Sequence, residues 1–270
     1  RSTVSGNIVE VQPLLFDKDV TALTMVEEGI EWYQKACKSD HPDAWYNLGI
    51  LNFEGRIVKN KKRVERDIGE SIRCIKEAAR LHDPSALYWM GAMSLSGEVE
   101  GVEIDEDYGY QALKEAAPQH AGAGYYLAML YRAEGRLEEM KVQLEDAARL
   151  GDAEALWCLG DMYFSGTDGY EINYTKAFKS FVEAARQKHP EALCCVGACY
   201  YHGYGVGKDL SRSFQAYQVA VEVGHIPAMR NLASMHYRGE GCPQSETTAR
   251  YMLKVAEEAE AEARGSGSMG

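Results

Sequence analysis

Between residues 27 and 260 the apolar residues recur at three- and four-residue intervals in short blocks, the spacing that lines one face of a helix. Six blocks share one phase: DAWYNLGILNFEG (43–55), SALYWMGAMSLSG (85–97), GAGYYLAMLYRAEG (122–135), EALWCLGDMYFSG (154–166), EALCCVGACYYHG (191–203) and PAMRNLASMHYRG (227–239). Their first alanines, Ala44, Ala86, Ala123, Ala155, Ala192 and Ala228, stand 32 to 42 residues apart. Each block ends in glycine, a helix stop, and is followed by a second helical pattern, at 70–81, 108–119, 138–150, 175–187, 211–223 and 248–259. Every unit therefore predicts a helical hairpin. Residues 27–39 fit the second-helix pattern alone and predict a half-repeat cap.

Small residues have a packing reason here. Two helices approach closely only where the contact positions are small, so Ala44 and Gly49 on one helix and Ala78 and Ala79 on the next allow a tight antiparallel pair. One hairpin cannot bury its apolar face alone, so neighbours stack. The expected architecture is all-α: an extended N-terminal segment at 1–19, one domain at 20–260 made of a half-repeat (20–39) and six repeats, and a flexible tail or linker at 261–270.

Composition narrows the function. A formal charge of −12 argues against nucleic acid as a partner, since phosphate binding needs a clustered basic surface. No apolar run is long enough to cross a bilayer, so no membrane insertion is expected. Seven cysteines without paired spacing suit a reducing compartment and a cytoplasmic location, while the triplet Asn173-Tyr174-Thr175 keeps the endoplasmic reticulum lumen as the alternative. Two links contrast in charge: 56–66 carries six basic residues, among them Lys59, Lys61, Lys62 and Arg63, and 98–107 carries six acidic ones. The basic link reads as a solvated loop, with binding to RNA, an acidic partner or an import receptor as the alternative.

Candidate chemistry is thin. His41, His82, His120, His189 and His225 all precede first helices, a repeated turn preference rather than a convergent site. Cys194, Cys195, Cys199 and His202 could suggest zinc, yet Cys199 occupies the core slot held by Leu51, Met93, Leu130, Met162 and Met235 in the other blocks. The glycine-rich stretch at 203–209 lacks the Ser or Thr after Lys208 and the preceding strand that a phosphate loop needs. No metal, no cofactor and no enzymatic activity are expected.

The repeating pattern AxxxLGxxYxxGxGV followed by KAxxWYxKAA resembles the Sel-one-like repeat, a longer relative of the tetratricopeptide repeat. Residues 191–224 match it best and the resemblance covers roughly 27–260, with a short third unit and with Asn52 and Ser94 in place of the usual tyrosine. The resemblance implies a right-handed superhelical α-solenoid of tandem helix-turn-helix repeats whose first helices line a concave groove. It further implies a non-enzymatic adaptor or scaffold, or alternatively the regulatory or substrate-docking region of a larger enzyme such as a protein kinase. In that phase the groove positions are Tyr46, Tyr88, Tyr125, Trp157, Cys194 and Arg230; Ile50, Ala92, Met129, Asp161, Ala198 and Ser234; and Phe53, Leu95, Arg132, Phe164, Tyr201 and Tyr237. Tyr, Trp and Arg are enriched at binding hot spots, so the expected partner is a protein or peptide with apolar side chains and an acidic group meeting Arg230 or Arg238.

Overall fold

In the computed structural model, which describes residues 22–57, 63–64 and 66–266, the hairpins form where the periodicity places them. The half-repeat is α1 (Ala22–Cys37), and the next hairpin pairs α2 (Pro42–Glu54) with α3 (Ile68–Arg80). The helices α4 (Pro84–Ser96) and α5 (Glu106–Ala116) follow. Four further hairpins are α6 (Ala121–Ala133) with α7 (Leu137–Arg149), α8 (Ala153–Ser165) with α9 (Tyr174–Arg186), α10 (Pro190–His202) with α11 (Leu210–Glu222), and α12 (Ile226–Arg238) with α13 (Glu246–Ser266). The fold is all-α, thirteen helices packed in tandem pairs among the described residues.

Contacts divide the chain into two compact units, one up to Met90 together with Gly97–Glu103, the other Gly91–Ser96 together with Ile104 onward. In the first, Cys37, Ala44, Leu48 and Cys74 form a buried cluster with Ile30, Tyr33 and Trp45 packed on it. In the second, buried clusters fill each hairpin and the space between successive ones, for example Leu127, Leu144, Cys158 and Met162, then Phe181, Val196 and Cys199, then Tyr217, Leu232 and Met235.

Some boundaries differ from expectation. The helix expected to run to residue 119 ends at Ala116, because Pro118 has no amide proton to continue it. Conversely, α13 runs through 261–266, where a tail was expected, because Ala-Glu-Ala-Glu-Ala-Arg is a strong helix-forming run. The basic link contributes a two-residue antiparallel ribbon, β1 (Arg56–Ile57) with β2 (Arg63–Val64), in register Arg56 to Val64. Residues 58–62 and 65 of that link, the segment 1–19 and residues 267–270 lie outside the described residues.

The aliphatic-small pair sets the distance between hairpin partners. A Cβ on Gly49 would lie 2.5 Å from Ile75, one on Gly91 3.1 Å from Leu113, and one on Gly160 or Gly197 2.7 Å from the rings of Phe181 or Tyr217. All four large residues sit at the same place in their helices, the eighth position. The two aromatic ones stand opposite glycine. In the third hairpin, Ala128 and Leu144 hold the corresponding positions and are both buried in one cluster.

The junction histidines turn out to be helix caps. His120, His189 and His225 each accept, at Nδ1, the backbone N–H of the third helical residue (3.2, 3.2 and 3.1 Å), while Asp83 and Asp152 do the same work with a carboxylate at 2.7 Å. His41 stands at the cap position without that bond. His82 is displaced from the pattern: it precedes the capping Asp83 and takes φ 62°. Asn173, the sequon asparagine, caps α9 by accepting from the Lys176 amide at 3.0 Å.

Two predictions follow from this packing and capping. Gly160→Ala lowers stability by about 1–3 kcal/mol in urea unfolding, and adding Phe181→Leu recovers part of that loss; an unchanged Gly160→Ala midpoint contradicts the close approach. Burial holds His120 and His225 below the ordinary imidazole range, so the unfolded chain takes up these protons first and stability falls as pH drops through about 6.5 toward the folded-state values. His120→Asn with His225→Asn, which caps without titrating, flattens the melting temperature between pH 7.5 and 5 relative to wild type; an identical decline contradicts the role of the caps.

Candidate partner-binding face

In the second unit the four first helices α6, α8, α10 and α12 present the same three positions toward one side. Tyr125, Met129, Trp157, Phe164, Cys194, Ala198 and Tyr201 are half-buried, and Arg132, Asp161, Arg230, Ser234, Tyr237 and Arg238 are exposed, Tyr237 by 58%. None is fully buried. Two members touch the next repeat: Trp157 stacks on the ring of His189, the cap of α10, at 5.5 Å, and Cys194 accepts at its sulfur from Asn231 of α12 at 3.6 Å. Burial pushes the Tyr125 phenol up, with smaller contributions from Cys158, Glu154 and Asp152.

The first unit holds Tyr46, Phe53 and Tyr88, all half-buried. Phe53 meets Trp89 edge-on at 5.6 Å and the Arg66 guanidinium lies 5.0 Å from its ring. Burial, then the carboxylates of Asp83 and Glu54, push the Tyr46 hydroxyl up to about 12. Phe53 thus packs within its own unit.

Two groups of expected contact residues have internal work. Phe164 lies 5.2 Å from Tyr174, 5.3 Å from Tyr204 and 6.4 Å from Phe181, a ring cluster that fills the space between hairpins. The arginines are already paired. Arg132 meets Asp168 at 2.8 Å, Arg230 grips Glu260 with two bonds of 2.9 and 3.1 Å, and Arg238 donates to the Tyr201 hydroxyl at 3.1 Å. That hydroxyl donates in turn to Glu240 at 2.6 Å, which raises its pKa. Asp168, Glu240 and Glu260 carry no signal in the helical pattern; a scan for opposite charges one repeat apart finds Arg132 with Asp168 and Arg230 with Glu260, but not the Tyr201–Glu240 pair.

The cysteines of α10 are not poised for chemistry. Burial pushes Cys199 up to about 11 and Cys195 up to about 12, away from the thiolate that metal binding or nucleophilic attack requires. Among the described residues no group of three His, Cys, Asp or Glu could hold a metal ion, and no helix is long and apolar enough to cross a membrane.

Comparison with known proteins agrees with this architecture. The Sel1 repeat family model matches residues 26–41, 42–83, 84–117, 153–189, 190–225 and 226–259. Residues 118–152, holding α6 and α7, fall between matched segments; only Glu134, Gly135 and Arg136 join those helices, a much shorter link than in the other hairpins. An uncharacterized Sel1-like repeat-containing protein of Schizosaccharomyces pombe is 23% identical over 88% of this chain and 42% of its own length. Among solved structures, a protective antigen of uropathogenic Escherichia coli displaying an SLR fold superposes with TM-score 0.70 and 24% identity, over 85% of this chain and 48% of that one. A Sel1 repeat protein from Oxalobacter formigenes gives TM-score 0.70 and 22% identity over 88% of this chain and 98% of that one. This chain thus spans less than half the length of the first two relatives.

The division of labour on this face is measurable. Phe164→Ala costs about 2 kcal/mol in denaturant unfolding, because it empties a ring cluster, whereas Tyr237→Ala stays within about 0.5 kcal/mol of wild type. Equal effects contradict the assignment of Phe164 to packing and Tyr237 to the open surface.

Proposed function

The chain belongs to the Sel1 repeat family, whose proteins commonly mediate protein interactions, and we propose that this member is a non-enzymatic adaptor holding an extended partner segment on the first-helix face of its second unit. The observation that carries this reading is the continuity of that face: Tyr125, Trp157, Tyr201 and Tyr237 come from four successive first helices, and none is fully buried. Aromatic side chains left partly open on a rigid helical frame bind at small entropic cost, since two side-chain torsions fix a large contact area. Seven free thiols suit a reducing compartment, so the proposed site of action is the cytoplasm.

Affinity purification with mass spectrometry tests the reading. Tyr125→Ala, Trp157→Ala and Tyr237→Ala together reduce recovery of specific partners by at least about tenfold, with the helical circular dichroism signal retained at the assay temperature and melting lowered, because Tyr125 and Trp157 also pack on a buried cluster. Tyr237→Ala alone, at an exposed position, gives a smaller loss in a protein whose folding is not in question. Undiminished recovery by both variants rules out this face.

A further inference from the structure

The charges of this face define the partner more narrowly than its rings do. Every arginine on it is matched by a carboxylate of the chain itself: Arg132 by Asp168 (2.8 Å), Arg230 by Glu260 (2.9 Å), and Arg238 by Glu240 (3.8 Å) beside the Tyr201 hydroxyl. An acidic partner group would have to displace one of these carboxylates. Three other carboxylates have no such match. Asp161 is exposed and makes no side-chain ion pair or hydrogen bond among the described residues, and Glu154 and Glu191 meet only His189, at 3.2 and 3.5 Å. His189 accepts the Ala192 amide at Nδ1, so that nitrogen has no proton to give Glu191, and it is Nε2 that faces Glu154.

The helix arranges two of the three around a ring. Glu154, Trp157 and Asp161 stand at positions i, i+3 and i+7 of α8, on one face, with the carboxylates about 10 Å apart along the axis and the indole between them. Trp157 is only half-buried, and tryptophan is the best aromatic platform for a cation. His189 stacks on one face of that ring, so a lysine or arginine meets the part left open, between the two carboxylates.

We propose that the partner is a basic-apolar peptide segment, one that lays a lysine or arginine over Trp157 between Glu154 and Asp161 and places apolar side chains against Met129 and Ala198 on the neighbouring first helices. This rests on the reading of the same face as a docking surface. It reverses the charge that the sequence alone suggested for the partner. The acidic balance of the whole chain, −12, favours approach of such a segment.

The test is an array of short synthetic peptides combining Leu and Trp with Lys or Arg, beside the same peptides with Glu at each basic position, probed with the intact protein. Basic peptides are retained and their Glu counterparts are not; Asp161→Asn and Glu154→Gln each weaken retention about fivefold, while Glu222→Gln, on exposed α11 surface, leaves it unchanged. Retention of Glu peptides at least as strong, or loss with Trp157→Ala but not with Asp161→Asn and Glu154→Gln, overturns the charge assignment and leaves the face intact. Retention of neither set, or retention indifferent to Trp157→Ala, overturns both.

Discussion

In the first five hairpins a small residue of the first helix is set opposite a large one of the second. Where that contact is Gly160 against Phe181 or Gly197 against Tyr217, a single added methyl would stand 2.7 Å from an aromatic ring, inside any tolerable separation. The contact fixes how near the two helices lie and the rotation at which the first helix meets its partner. With the apolar side thus committed inward, the positions holding Trp157, Asp161 and Tyr201 are left short of full burial on α6, α8, α10 and α12, although Phe164 among them closes a ring cluster. The binding face is a consequence of the packing rule.

Much of this was legible in the sequence, because the small residue recurs in phase with alanine five positions earlier, from Ala44 and Gly49 to Ala228 and Ala233. A repeated phase fixes helix type, pairing and register at once. What escaped had no periodic signal. The ribbon of Arg56–Ile57 with Arg63–Val64 is too short to show strand alternation, and α13 passes its expected end because the Ala-Glu run carries the helix into the Gly/Ser stretch that reads as a linker. The third hairpin folds like the others although residues 118–152 fall outside the family match, since its Ala128 and Leu144 keep the packing while its link is shortened.

The candidate face was half legible for a related reason. Helical phase identifies which side chains point to one side, and those named on α6, α8, α10 and α12 escape full burial, whereas Ala92 of α4, expected on the same face, is buried. Phase says nothing about what reaches them from another repeat. Tyr174 at the start of α9 and Tyr204 in the next link close on Phe164, and Asp168, Glu240 and Glu260 reach Arg132, Tyr201 and Arg230 across 30 to 39 residues of chain. Those long-range pairs decide the sign of the surface. Likewise, the histidines at the repeat junctions could be recognised as turn residues, but only the geometry shows an imidazole nitrogen doing the capping that Asp83 and Asp152 perform elsewhere.

The central claim is that the first helices of the second unit, held in register by the small-large contacts, carry the partner. The measurement that bears on it most directly is a crystal structure of the protein with a bound partner peptide. The account predicts the peptide lying across α6, α8, α10 and α12, against Trp157 and Tyr237. A peptide seated on the second helices α7, α9 and α11, with that face left open, would contradict it.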